Sequence, residues 1–221
     1  MDQPEPNSAV VVSSEPGVGP QALPAPAPAA APTPTSAPVV AQFSGVGLTY
    51  NSRGGSTRAL DGLNLTIRDG ERVAVVGPSG CGKSSLLALA AGLVQPTDGQ
   101  TEINQAVALM PQRDLLVPWR TALRNAAMAL EAQGVSRREA ERRAAPLFER
   151  FGLAEFEGAR TWELSGGMRQ RVAFLRTVLT GRPLLALDEP FGALDSITRA
   201  QMQEWLIDAL AEEPRTLLLV T

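Results

Sequence analysis

Nine residues constrain this chain more than any others: GPSGCGKSS, Gly77–Ser85, between the β-branched run RVAVV and the apolar stretch LLALAAGL, which Gly92 closes. A short run of this kind suits a strand buried on both faces, so the order expected is strand, tight loop, helix. Gly77, Gly80 and Gly82 permit backbone conformations and close approaches that side chains obstruct. The pattern is G-x-x-x-x-G-K-[ST], in which loop N–H groups and the helix N-terminus converge on phosphate oxygens. Lys83 is the only lysine among 20 lysines and arginines. A loop wrapped around phosphates needs a compact charge with three rotatable donors, and arginine's planar fork is not equivalent. Ser84 offers a hydroxyl to Mg2+. The candidate nucleotide-contacting set is therefore Gly77, Pro78, Ser79, Gly80, Cys81, Gly82, Lys83, Ser84 and Ser85, with Lys83 also a catalytic candidate. Cys81 falls at a variable position, where a small residue without a catalytic role is the plainer reading.

The chain has 221 residues, a length for one or two domains with one compact α/β domain the simplest reading, and a hydrophobic fraction of 44%, enough to bury a sizeable core. Its formal net charge of −3 argues against a nucleic-acid binder, which is more often basic. One cysteine cannot form an internal disulfide. Residues 1–42 hold ten of the 18 prolines and have little to bury, so a disordered, partly extended Pro/Ala-rich tail is expected there. They carry neither the basic start and apolar run of a secretory signal nor the arginines of a transit peptide. No stretch approaches the ~20 apolar residues of a membrane-spanning helix.

Phe43–Tyr50 and Ala59–Ile67 alternate apolar and polar residues between turn formers, which predicts a pair of antiparallel strands. From Thr121 to about Phe151 the pattern is helical, with Ser136 and Glu139 placed for a capping box and Pro146 expected to kink or interrupt the helix. Met168, Val172, Leu175 and Leu179 share one helical face, as do Met202, Trp205, Leu206, Ala209 and Leu210. PLLALDEP and TLLLVT read as further buried strands. Strands alternating with helices imply an α/β fold whose parallel sheet carries helices on its faces.

Asp188 and Glu189 follow the apolar strand LLAL. Alone, such a pair is commonly a helix cap or a solvated loop. Beside a phosphate loop the first acid can hold Mg2+ through its water shell, and the second can orient and deprotonate an attacking water. LSGGMRQR, Leu164–Arg171, opens another helix with Ser165, Gly166 and Gly167, a pattern that is either a plain N-cap or an anion-binding helix start.

The order of phosphate loop, LSGGMRQR and LALDEPFGALD resembles the nucleotide-binding subunit of an ABC transporter, from about Phe43 to the last residue. The resemblance implies a P-loop NTPase of the ABC ATPase kind: a parallel core sheet, an N-terminal antiparallel β subdomain and an α-helical subdomain at about 119–165. It implies that Mg-ATP is bound and hydrolysed between the phosphate loop of one subunit and the LSGG of a second. Ser165, Gly166 and Gly167 would then contact the partner's ATP. Gln112, in MPQRD, matches the glutamine that touches Mg2+ and communicates with the membrane subunits. Glu189 matches the catalytic base, Asp188 a metal-holding acid, and Ala193, Leu194 and Asp195 a loop at the dimer seam. Tyr50 falls where the family stacks an aromatic ring on adenine, although an ordinary core tyrosine fits the same position.

MPQRDLLVPWRTALRNA and DEPFGALDSITRAQMQEWL are similar to ATPases of the nitrate/sulfonate/taurine/bicarbonate importer group. The partners implied are a second ATPase subunit, permease subunits and, indirectly, a substrate-binding protein, with the chain peripheral on the cytoplasmic face of the plasma membrane. Leu115, Leu116, Pro118 and Trp119 would line the cleft for a permease helix. A nucleotide-binding regulatory module with little turnover and a soluble ABC ATPase unconnected to transport are the alternatives. Two departures stand out. QTEINQAVAL is shorter than the family's strand–turn–strand, so a trimmed or misregistered sub-sheet is expected. The chain also ends one residue before the family's switch histidine, which leads to the expectation of a C-terminally incomplete domain that binds ATP better than it hydrolyses it.

Overall fold

The computed structural model describes residues 10–13, 37–52, 55–192 and 194–221, except that the side chains of 10–13, 208, 211 and 212 are not described. In chain order the elements are β1 (Val10–Ser13), β2 (Val39–Ser52), β3 (Gly55–Arg68), β4 (Arg72–Val76), α1 (Lys83–Ala90), β5 (Asp98–Ile103) and β6 (Val107–Met110). There follow α2 (Ala122–Glu131), α3 (Arg137–Arg150), two single 3-10 turns, α4 (Gly166–Val178), β7 (Leu184–Asp188), α5 (Ser196–Glu212) and β8 (Thr216–Val220).

The five residues of β7, LLALD, are all buried, and their alternation builds both sides of the core. Leu184 and Ala186 join a cluster with Leu86 and Leu87 of α1 and Phe43 and Ile67 of the antiparallel strands. Leu185 and Leu187 join a cluster on the opposite side with Phe174 of α4 and Met202 and Leu206 of α5. Successive side chains of a strand point to opposite faces, so one continuous apolar run serves both layers. β4, β8, β7 and β6 pair in parallel in that order, and β1 pairs antiparallel with β4 at the edge. A second sheet, in the order β3-β2-β5, is antiparallel and covers α1. The α/β class, parallel core and antiparallel portion expected from the pattern are thus present.

Five expectations need correction or refinement. Strand β2 starts at Val39 rather than Phe43, because Val40 and Ala41 are 1% and 0% exposed and the backbone already pairs with β3. Val10–Ser13, within the stretch expected to be disordered, is strand; the rest of that expectation, 1–9 and 14–36, lies outside the described residues. The capping box of α3 does not form: Ser136 makes no side-chain cap bond, and Glu139 instead accepts from Arg142 and Arg143. Those two guanidiniums, Arg142 foremost, hold its carboxyl down at about 2. Helix α3 also runs through Pro146 without interruption. Proline removes the bond to the carbonyl of Arg142, and both residues are exposed, so water can take that acceptor. In the shortened segment, β5 completes the antiparallel sheet and Asn104–Ala106 leads straight into β6 of the other sheet.

Phe174 is fully buried, 5.5 Å from Trp205 in an edge-on arrangement and 6.0 Å from Phe151, with Phe191 on another side. Such a ring contributes by area and by aromatic geometry. Phe174→Ala is expected to cost about 3–5 kcal/mol in urea unfolding. A loss under about 1 kcal/mol would show that the aromatic cluster does not anchor the layer.

Candidate functional site

The C-terminal ends of β4, β8 and β7 lie side by side, the usual place for a ligand in an open parallel sheet. From β4 the chain enters the loop Gly77–Gly82 and then α1. Gly82 caps that helix at φ 97, and a Cβ on it would lie 2.2 Å from the carbonyl oxygen of Ala59 in β3. Only glycine fits both requirements. A Cβ on Gly77 would lie 2.8 Å from Cys81 Sγ, so the thiol packs on the glycine backbone across the loop. Gly77 N donates to Thr221 O at 3.3 Å and Cys81 N to Pro78 O at 3.3 Å, which ties the loop to the end of β8 and to itself. Lys83 is 8% exposed; its Nζ donates to Gly77 O at 2.7 Å and Pro78 O at 3.0 Å, so the charge is held inside the loop's curve. Pro78, Ser79, Gly80 and Ser84 are exposed, and Ser85 is half-buried.

Asp188 closes β7 at 6% exposure, and among the described residues its carboxylate has no hydrogen-bond or ion-pair partner. Glu189 follows with φ 45, a left-handed conformation that costs a non-glycine residue roughly 1–2 kcal/mol. Two backbone bonds hold it there: Glu189 N donates to Val220 O at 3.0 Å, and Gly192 N donates to Glu189 O at 3.1 Å. The carboxylate is thereby turned toward β6, where Gln112 Nε2 donates to Glu189 Oε2 at 3.1 Å. A buried acid without a protein partner suits a hydrated cation, and Asp188, the exposed Ser84 hydroxyl and the Gln112 amide oxygen are the candidates to hold Mg2+. No group of three or more His, Cys, Asp and Glu residues able to hold a metal occurs among the described residues.

Other candidates lie elsewhere. Ser165 caps α4, its Oγ accepting from Met168 N at 3.2 Å, with Leu164 buried before it and Gly166 exposed after it. No hydrogen bond joins Ser165, Gly166 or Gly167 to the phosphate loop among the described residues. Tyr50 is 43% exposed and pairs with Thr57, two residues before Ala59, near the end of β2. It is not a core tyrosine. Ala193 lies outside the described residues, while Leu194 is buried and Asp195 caps α5, accepting from Ile197 N and Thr198 N at 3.1 and 3.0 Å. These bonds, that from Thr198 foremost, lower the pKa of its carboxyl.

After Gln112 the chain runs over the surface. Leu115 and Trp119 are 61% and 75% exposed, Pro118 is exposed, and Leu116 packs on the core instead. Trp162, 69% exposed, was not singled out by the motifs; a strand bridge between Thr121 and Arg160 brings its segment beside that of Trp119. The motifs give no role to three residues that hold this segment. Asn125, fully buried, accepts from Val117 N and donates to the carbonyls of Val117 and Thr121. Arg169 and Arg176 reach the segment from α4. Their spacing of one heptad was visible, but which chain they face was not.

Comparison with known proteins agrees with this geometry. The family model described as ABC transporter matches residues 60–192. The formylaminopyrimidine import ATP-binding protein ThiZ of Halalkalibacterium halodurans is 45% identical over 81% of this chain and 72% of its own. The aliphatic sulfonates import ATP-binding protein SsuB 1 of Rhodococcus jostii is 45% identical over 80% and 70%, and the taurine import ATP-binding protein TauB of Rhizobium johnstonii 41% over 76% and 67%. Among solved structures, the dimeric ATP-binding cassette MJ0796 bound to ADP and Pi superposes with a TM-score of 0.76 at 30% identity, over 82% of this chain and 87% of that one. With the motif order, the topology and the family match in agreement, this chain belongs to the ABC transporter family, as an ATP-binding cassette.

Proposed function

We propose that the chain binds and hydrolyses Mg-ATP as the energy-coupling subunit of a membrane importer. The observation that carries this reading is the contact of Gln112 with Glu189, next in sequence to the buried, partnerless Asp188, at the C-terminal end of β7 in the sheet whose β4 leads into the phosphate loop. Loop N–H groups and Lys83 would bind the β- and γ-phosphates, with the ammonium exchanging the carbonyls of Gly77 and Pro78 for phosphate oxygens. Mg2+, held through Ser84 and Asp188, would supply positive charge against the triphosphate. Glu189 would accept the proton of a water attacking the γ-phosphorus, while the bond to the leaving ADP oxygen breaks. Gln112 donates to the Glu189 carboxylate and fixes its direction.

A second subunit completes the site in this reading. Ser165, Gly166 and Gly167 make no hydrogen bond to their own phosphate loop among the described residues, and the first N–H groups of a helix lack intrahelical partners. In a head-to-tail dimer they would face the ATP held by the other copy, as Tyr50 would face the adenine of its own. Leu115, Trp119 and Trp162 offer exposed apolar surface to a permease subunit. No helix among the described residues is long and apolar enough to cross a membrane, so attachment at the cytoplasmic face would run through such a partner. The import role rests on the names of the relatives, and the cargo would be chosen by other subunits.

Phosphate release from ATP tests the reading. Glu189→Gln is expected to keep ATP affinity within about twofold, to slow release ~10²–10³-fold, and to accumulate ATP-dependent dimers in gel filtration. Release at the wild-type rate would remove Glu189 as the base, and tight ATP binding by the wild-type chain without release would leave a regulatory module. A second test uses the packing of Cys81 on Gly77. A bulky maleimide on that thiol is expected to abolish nucleotide binding, with ATP protecting against labelling; unchanged binding after confirmed labelling would place the nucleotide elsewhere.

A further inference from the structure

Among the described residues, only Glu189 and Leu115 adopt positive φ without being glycine. Glu189 is held by β8 and by its own turn. Leu115, at φ 46, is not held by its side chain, which is 61% exposed and gains little from burial. What holds it is α4. Arg176 NH1 donates to Leu115 O at 2.9 Å, and NH2 of the same guanidinium donates to Asp114 O at 2.6 Å. Arg169, seven residues earlier on that helix, donates from Nε to Asp114 Oδ2 at 3.1 Å and from NH1 to Leu164 O at 2.8 Å. The other carboxylate oxygen of Asp114 accepts from Leu116 N at 3.1 Å.

We propose that Arg176 is a positioning residue: its fork holds the left-handed turn at Leu115 and so fixes the segment leaving Gln112 to the helix that Ser165 begins. The inference rests on the proposed role of Gln112 in hydrolysis, which it extends to a residue that touches no nucleotide. The mechanism is geometric. One planar guanidinium satisfies two successive carbonyls, which a lysine ammonium on a thinner stem cannot do in the same arrangement. A helix is stiff along its axis, so a tilt of α4 at its Ser165 end pulls on the carbonyls of Asp114 and Leu115 and, three residues back, on the Gln112 amide that orients Glu189. Burial lowers the pKa of Arg176 and the Asp114 charge opposes this; the guanidinium stays charged at neutral pH and its donors stay available.

Hydrogen exchange and ATP turnover test this in Arg176→Met, Arg176→Lys, Leu115→Gly and the Arg176→Met/Leu115→Gly double variant. Arg176→Met is expected to speed amide exchange over residues 112–118 on the order of tenfold, the equilibrium weight of one left-handed non-glycine residue, with no change in α1. Turnover should fall by a similar factor at unchanged KM for ATP, with Arg176→Lys intermediate. Glycine accepts φ 46 without a steric cost, so Leu115→Gly in the Arg176→Met background should recover several-fold of both losses. A merely structural role gives a different result: exchange rising equally in α4, β7 and the segment, with no recovery in the double variant. That outcome overturns the proposal, as does a fall in ATP affinity matching the fall in rate. If the wild-type chain releases no phosphate, the ATPase reading fails separately. The local exchange and its glycine recovery then still decide whether Arg176 holds the turn.

Discussion

The molecule depends on one backbone approach, that of Gly82 to the carbonyl of Ala59. It leaves no room for a single extra carbon, since a Cβ there would stand 2.2 Å from the oxygen. Because Gly82 both ends the phosphate loop and caps α1, this approach fixes the loop, the first turn of the helix and strand β3 to one another. The antiparallel sheet is thereby seated on the parallel one at the point of chemistry, and the β2–β3 hairpin is set against the loop with Tyr50 near its end. Leu65, Ile67, Leu86, Leu87 and Val75 fill the space behind it with an apolar cluster that makes the seating rigid. Packing and motif are the same fact here.

Much of this was legible in the chain. Strand, loop and helix around Lys83 follow from residue types and spacing, because the glycines and the β-branched run act locally. The face of α4 that carries Val172 and Leu175 follows from helical period, and both residues are buried. What failed was set by competition or by partners distant in sequence. Ser136 and Glu139 had the spacing of a capping box, but two arginines three and four residues along α3 claim the carboxylate more strongly than one backbone N–H. Val40 and Ala41 looked like the end of a Pro-rich tail, yet they are core residues because β3 and β5 flank them. Gln112 and Glu189 could be named as candidates, whereas their contact depends on how β8 fixes the backbone of Glu189 across 31 residues of sequence.

Strain and function coincide along this line. The left-handed residues at 115 and 189 flank the one side-chain bond that joins the glutamine to the acid, and each is kept in place by a neighbour rather than by itself. Backbone strain of this sort persists only where surrounding contacts over-determine it. A site so arranged can change state when a contact outside it changes, without any rearrangement of its own core.

The solitary ammonium has a chemical consequence as well. With nineteen arginines carrying every other basic charge, the chain presents one side-chain amine to the world, and it is 8% exposed and tied to two carbonyls of its own loop. Enzymes that cut or modify at lysine side chains therefore meet a single address, guarded by the fold. Lysine-directed modification, which would be spread over the surface of a lysine-rich protein, here has the phosphate loop as its one place to act.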